Sequence, residues 1–268
     1  MDFLMAQDIA AMPTAIGVIV TIGVPVLIAM SVGAVMFAVF TPAELAASSV
    51  IGSVKFSFVV EVYAVVAALT LVGAWDIYTT SRDTLQKESG ALYMLAHAVD
   101  TYSGADQADS RQAMREAIRD YAEAVVTYDW PRLRQGAGVG SGGSDAAFTR
   151  LSRIFFDTEP VTQAQQALAQ NTVQWVAQVA EARIDRLSVG TRTISLLIWA
   201  LIMTVSVSVL VFQWFIGSGG LGVHYSMGAV IAIIVGGVLL VSLKLAFPFV
   251  GDDPLLSPRP FVLLMDIR

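Results

Sequence analysis

The sequence predicts an all-α membrane protein with four transmembrane helices, the second and third extended into a cytoplasmic helical domain. Two observations carry this. Four long apolar stretches lie at about Met12–Phe40, Phe56–Trp75, Ile194–Ile216 and Met227–Phe247, and residues 76–193 between the inner two hold 12 of the 16 basic and 15 of the 22 acidic residues. About 20 apolar residues rising 1.5 Å each cross a hydrocarbon core roughly 30 Å thick. A composition of 56% hydrophobic and 14% charged residues agrees with that class.

The domain order that follows is 12–75 for the first two spans, 76–193 for the polar insert, 194–247 for the last two spans and 248–268 for a tail. The N-terminus carries no Lys or Arg ahead of the first apolar run. It is therefore not a secretory signal peptide, and the first span is expected to be retained. Pro25 in mid-span removes an intrahelical hydrogen bond and should kink span one. The connection 41–55 is read as a short, weakly charged link. Span two continues past Trp75 with Leu85, Leu92, Leu95, Ala96 and Val99 on one face, so residues 56 to about 102 read as one helix.

In the insert, Asp109 or Ser110 could cap a helix running to about Tyr128, which Trp130-Pro131 should end because the residue before Pro disfavours the α region. Gly136–Ser144 reads as a flexible Gly/Ser loop. Its formal match to G-x-G-x-x-G at 138–143 has no strand before it and carries no nucleotide-binding weight. A short helix over 145–156 follows. Asp157-Thr158-Glu159-Pro160 reads as the start of a helix running into span three, interrupted at most near Gly190. The two long helices should pack as an antiparallel pair.

Lys and Arg near the membrane ends set orientation. Arg82 and Lys87 follow span two, while Arg183, Arg186 and Arg192 precede span three; residues 217–226 contain neither type. The insert and both termini are accordingly expected in the cytoplasm, and Lys55 argues weakly the other way. Lys244 near the inner end of span four should reach the headgroups. Trp75, Trp199 and Trp214 suit interfacial or helix-packing positions, and Gly236-Gly237 suits close helix contact.

Chemistry is sparsely marked. There is no Cys, which removes disulfides, thiolate metal sites and cysteine nucleophiles. His97 and His224 are the only histidines, and no H-E-x-x-H, Ser/His/Asp order or metal-spaced carboxylate cluster occurs. No catalytic residues, metal site or cofactor are expected, and no enzyme activity. The net charge of −6 carries no basic stripe, which argues against nucleic acid. The expected partners are the lipid bilayer, further copies of the chain in a homo-oligomer and inorganic ions.

Glu61 is the sharpest local feature. An ionisable group about five residues inside span two is costly in hydrocarbon and marks a functional position by default. Ala64, Ala68, Val72 and Trp75 follow it at helical spacing. These residues suit either close helix packing or a pore wall, with Glu61, Ala64, Ala68 and Val72 as the pore-lining candidates. The competing reading is that Glu61 reaches the interface or pairs with a polar neighbour.

Several segments in order resemble the bestrophin-like membrane family. Ala74-Trp75-Asp76-Ile77-Tyr78 with Glu88-Ser89-Gly90-Ala91-Leu92 resembles its A-W-x-x-Y and E-x-x-A-L run. Tyr121 and then Trp130-Pro131-Arg132-Leu133-Arg134-Gln135-Gly136 resemble its W-P-x-L-x-x-G element. Ala182-Arg183-Ile184-Asp185-Arg186-Leu187 and Leu197-Ile198-Trp199 are similar to the pair that opens span three. Pro248-Phe249-Val250-Gly251 and Ser257-Pro258-Arg259-Pro260-Phe261 resemble its tail. Two departures stand out: Ala246 where the family often has Asp, and Ile194-Ser195-Leu196 where it often has Pro.

The resemblance implies structural-motif roles for Trp75, Glu88, Trp130, Pro131, Gly136, Arg183, Arg186, Trp199, Pro248, Phe249 and Gly251. It also implies a layout like that of bestrophins, which are ion channels with four spans per subunit, cytoplasmic termini and a ring of subunits around one pore. In that layout span two lines the pore. The resulting expectation is an oligomeric ion channel or channel-related protein of a bacterial cytoplasmic membrane. The alternative is a non-conducting scaffold or sensor that binds a partner through its cytoplasmic helices.

Overall fold

A computed structural model describes residues 2–136, 143–188, 194–216 and 220–266. Among these the chain forms helices and no strand. In order they are α1 (Asp2–Ala11), α2 (Thr14–Val18), α3 (Val24–Val39), α4 (Pro42–Val99), α5 (Ala108–Ala124), α6 (Trp130–Arg134), α7 (Asp145–Asp157), α8 (Gln163–Ser188), α9 (Leu196–Phe212), α10 (Leu221–Ala246) and α11 (Arg259–Met265). The G-x-G-x-x-G match, Arg192 and Gly190 fall mostly or wholly outside the described residues. Four segments are long and apolar enough to cross a bilayer: Thr14–Val39, Ser49–Val99, Leu196–Phe215 and Leu221–Ala246. The chain divides into two compact units, residues 1–78 with 194–247, and residues 79–193 with 248–268.

In the first unit α10 approaches the turn Ile19–Gly23 ahead of α3 closely at a glycine. A side chain at Gly236 would collide with the Thr21 carbonyl and the Ile22 backbone, whereas Gly237 has open space. Only one glycine of the pair makes the expected close contact. Pro25 acts through a π-helical turn, Ile19–Gly23, that carries the chain into α3. A Pro at 25 supplies no N–H to the Thr21 carbonyl four residues back, and the widened turn accommodates the loss. Trp214 is fully buried, and side chains at Gly33 or Gly228 would meet its ring. Phe37 and His224 meet it edge-on and Tyr225 at a tilt, with ring centroids at 6.2, 4.9 and 5.0 Å.

Two expectations change here. Residues 41–55 are not a link, because α4 begins at Pro42. Thr41 and Glu44 form a capping box: the Thr41 N–H donates to Glu44 Oε2 at 2.8 Å, and the Glu44 N–H donates to Thr41 Oγ1 at 3.3 Å. The backbone and side-chain bonds from Thr41 hold the Glu44 carboxyl below its usual range. Lys244 does not end at headgroups but donates to the Ala10 and Met12 carbonyls at 3.1 and 3.3 Å. That places a cation at the C-terminal end of α1, where unpaired carbonyls favour one.

In the second unit, Glu88 of α4 meets Arg186 of α8, and the Thr101 carbonyl just past α4 meets Gln165 near the start of α8. α4 and α8 are therefore antiparallel in this unit. Trp130-Pro131 does not end the preceding helix. A π-helical turn, Val125–Asp129, joins α5 to α6, and Trp130 keeps α-helical angles of −62° and −46°. The extra residue in that turn absorbs the steric conflict with Pro131, as at Pro25. The helix stops instead at Gly136, whose φ of 66° suits a left-handed terminus. Nor does α8 begin at Asp157–Pro160. Thr162 and Gln165 form a second capping box, with bonds of 3.0 and 3.2 Å, that starts α8 at Gln163. Ser195, with ψ of 138°, stands outside the helix ahead of α9 and caps Leu197.

Candidate functional site

The second unit is built around a buried ion cluster. Glu88 projects from the face of α4 that also buries Leu85, Ala91, Leu92 and Leu95. Arg186 lies on the buried stripe of α8 with Val176, Val179 and Ala182. Arg186 Nε donates to Glu88 Oε2 at 2.7 Å and Nη2 to Glu88 Oε1 at 3.2 Å. The same Nη2 donates to Asp129 Oδ2 at 2.9 Å. All three side chains are without solvent exposure.

The neighbours answer much of the electrostatic cost of that burial, although Arg186 Nη1 has no hydrogen-bond partner among the described residues. The Tyr121 hydroxyl donates to Glu88 Oε1 at 2.5 Å, a short charge-assisted bond. Burial first, and then the Glu88 charge, push the Tyr121 hydroxyl well above its ordinary value of 10.0. Burial works against the charged form of Arg186, but Glu88, Tyr121 and Asp129 outweigh it and the net shift is upward. Asp129 accepts from the Ser144 N–H at 3.1 Å and the Ser144 hydroxyl at 2.6 Å. The hydroxyl in turn accepts from Arg183 Nε at 3.0 Å, and Arg183 also pairs with Asp145. The Arg186 guanidinium carbon sits 5.8 Å from the Phe261 ring centroid, and that of Arg183 the same distance from Phe148. A Cβ at Gly143 would collide with Asp129 Oδ1.

The cluster joins segments far apart in sequence. Glu88, Arg183 and Arg186, expected as separate motif residues, are brought together. Asp129, Ser144 and Gly143 were not singled out as participants, since each is an ordinary polar or turn residue until the fold closes. Arg183 and Arg186, which precede span three in sequence, are both ion-paired inside the unit.

A second junction ties the W-P-x-L-x-x-G element to the tail. Trp130 is 4% exposed and packs edge-on against Phe249, with centroids 5.5 Å apart and planes at 80°. Trp130, expected as a structural-motif residue, thus takes its ring partner from the tail. The Gly251 N–H donates to the Arg134 carbonyl at 2.9 Å, and Arg134 Nε donates to the Gly251 carbonyl at 3.0 Å. Gly251 has φ of 96°, a conformation that favours glycine. The Leu256 N–H closes the turn on the Pro248 carbonyl at 3.1 Å.

In the first unit α4 is two-sided. Tyr63, Val66, Ala67, Thr70 and Ala74 form its buried stripe, while Glu61, Ala64, Ala68, Val72 and Trp75 are exposed on the other side. No ion pair to Glu61 exists among the described residues. Trp75 meets the Tyr78 ring at a tilt, with centroids 5.6 Å apart, and Trp199 is buried at 9% exposure. Among the described residues no group of three or more His, Asp or Glu is arranged to hold a metal ion.

Comparison with known proteins agrees with this architecture. The Bestrophin-like domain matches residues 23–253. A solved structure of a mutant bacterial bestrophin homolog from Klebsiella pneumoniae superposes with a TM-score of 0.71, at 10% identity, over 92% of this chain and 98% of that one. At that identity the likeness speaks for the fold. No curated protein matches the sequence. With most of its length covered by the family's domain, four apolar helices and a helical second unit, the chain belongs to the Bestrophin-like family of membrane proteins.

Proposed function

We propose that the protein is an ion channel of bestrophin type, formed by a ring of copies in a bacterial cytoplasmic membrane, with α4 lining the pore. The observation that carries this reading is the two-sidedness of α4. Its Tyr63–Ala74 stripe is covered within the first unit, while Glu61, Ala64, Ala68 and Val72 are exposed and have no partner in the same chain among the described residues. A carboxylate facing hydrocarbon is costly, so an exposed glutamate on an apolar helix calls for water or an ion on that side. The small Ala side chains leave room for both.

In a ring, one Glu61 per copy would stand at a common height around the axis. Such acidic rings attract cations and repel anions. Following the positive-inside rule, residues 76–193 and both termini lie in the cytoplasm, with Arg82 and Lys87 as the flanking cations. The buried ion cluster then serves to hold the cytoplasmic unit rigid rather than to carry ions, since its charges have no solvent exposure. The test is recording from purified protein in planar bilayers. The reading expects single-channel currents with cation preference; a preparation of folded protein that gives no currents overturns it.

A further inference from the structure

Gln213 is an amide at the end of an apolar run, and both ends of that amide need partners. Gln213, Trp214 and Phe215 form a single 3-10 turn that closes α9 and folds the first two side chains inward, to 5% and 0% exposure. Gln213 Nε2 donates to the Leu210 carbonyl at 3.0 Å. That bond fixes which end of the amide is tied back, because the reversed amide would set two acceptors against each other. Gln213 Oε1 is left buried with no hydrogen-bond partner among the described residues, and so is Trp214 Nε1. An acceptor and a donor buried unpaired are each costly.

Both residues line a cavity of about 210 Å³ inside the first unit, together with Phe56 of α4 and His224, Gly228 and Ile231 of α10. Gly228 keeps the space open. A Cβ there would stand 3.0 Å from the Trp214 ring and 3.5 Å from Gln213 Oε1, so the orphan oxygen faces the Gly228 wall. No lining residue is Asp, Glu, Lys or Arg, and nothing there would compensate a buried ion. Phe56, Trp214 and His224 supply three aromatic walls. An engineered apolar cavity of about 150 Å³ takes up benzene, so this one has room for a single substituted ring and too little for a two-chain lipid. Gln213 and His224 lie near the facing ends of the spans Leu196–Phe215 and Leu221–Ala246, which puts the cavity toward one bilayer surface, within reach of solutes from water.

We infer that this cavity is a binding site for a small neutral aromatic alcohol of the phenol type, whose hydroxyl donates to Gln213 Oε1 and whose ring packs among Phe56, Trp214 and His224. A hydroxyl suits an orphan acceptor and an orphan donor on adjacent residues because it both donates and accepts. A purely apolar ring would fill the space and leave both groups unpaired. Water would pair them and forgo the aromatic contacts. The site lies within one chain and does not depend on the ring of copies proposed above.

Purified protein in detergent would be titrated with para-fluorophenol and para-fluorotoluene by fluorine NMR, each referred to protein-free micelles. The expected result is saturable binding of para-fluorophenol at one site per chain, about tenfold tighter than para-fluorotoluene, because only the phenol pairs the Gln213 oxygen. Gln213→Leu should keep the binding of para-fluorotoluene, which reports an intact cavity, and lose the preference for the phenol. Ile231→Trp, which fills the cavity, should abolish the binding of both. Absence of saturable phenol binding, or equal affinity of the wild type for the two ligands, overturns the assignment without recourse to any variant. So does a preference that survives Gln213→Leu, or phenol binding that survives in folded Ile231→Trp.

Discussion

Arg186 and Glu88 meet across 98 positions of sequence, with Nε 2.7 Å from Oε2 and neither side chain exposed to solvent. The pair links the part of α4 that belongs to the second unit to the end of α8. Asp129 adds a second carboxylate to the same guanidinium at 2.9 Å. In such a setting the cost of removing one partner exceeds the net worth of the pair, because the survivor stays buried with its charge uncompensated.

Arg186→Met should therefore destabilise the protein by about 3–5 kcal/mol, because Glu88 and Asp129 both stay buried without their cation. The double variant Glu88→Leu/Arg186→Met should recover part of that loss, because one of the two buried carboxylates left without a cation is then removed and only Asp129 remains. Thermal unfolding of the single and double variants in detergent checks this. A double variant as unstable as the sum of the two single ones would contradict it, since contacting residues should not be additive.

Tyr121 predicts a pH response. Its folded-state value is raised above the unfolded value near 10.0. The stabilisation from the raised group is complete below pH 10 and declines as pH rises toward the folded-state value. Unfolding midpoints measured from pH 8 to 11 should fall at the alkaline end in the wild type and fall less in Tyr121→Phe. At neutral pH the same variant should lose about 1–3 kcal/mol, because Glu88 is left with one hydrogen bond fewer.

Trp130 and Phe249 should behave as one unit. Trp130→Ala leaves a cavity against the Phe249 ring and should cost about 3–5 kcal/mol. The loss in the double variant Trp130→Ala/Phe249→Ala should fall short of the sum of the two single losses. A separate check is Gly251→Ala, which forces a Cβ into φ of 96°. It should cost about 1–3 kcal/mol without touching the aromatic pair. Unchanged melting in Trp130→Ala would remove the junction from the account.

How far the sequence reveals this molecule depends on the range of the interaction. The four apolar helices are legible because bilayer thickness sets a length that composition alone can meet. α7 is legible from local pattern to within a residue. The starts of α4 and α8 carried a readable signal, Thr41-Pro42-Ala43-Glu44 and Thr162-Gln163-Ala164-Gln165, that apolar run lengths and the Pro160 cue obscured. The continuation through Pro131 is harder to see, because a π-helical turn suspends the rule that the residue before Pro leaves the α region. Lys244 meets a carbonyl pair more than 230 positions away, a distance no local pattern encodes. The ion cluster is the extreme case. Glu88, Arg183 and Arg186 stood out through family resemblance, but Asp129 and Ser144 gain their roles only from the fold.

Glu61 decides the functional account most directly. Wild-type protein and Glu61→Gln, each confirmed as folded and assembled, would be compared by reversal potential under a salt gradient in planar bilayers. An α4-lined pore with an acidic ring predicts cation preference in the wild type and a reversal potential shifted toward zero in the variant. The same reversal potential in both proteins would contradict the placement of Glu61 on the pore.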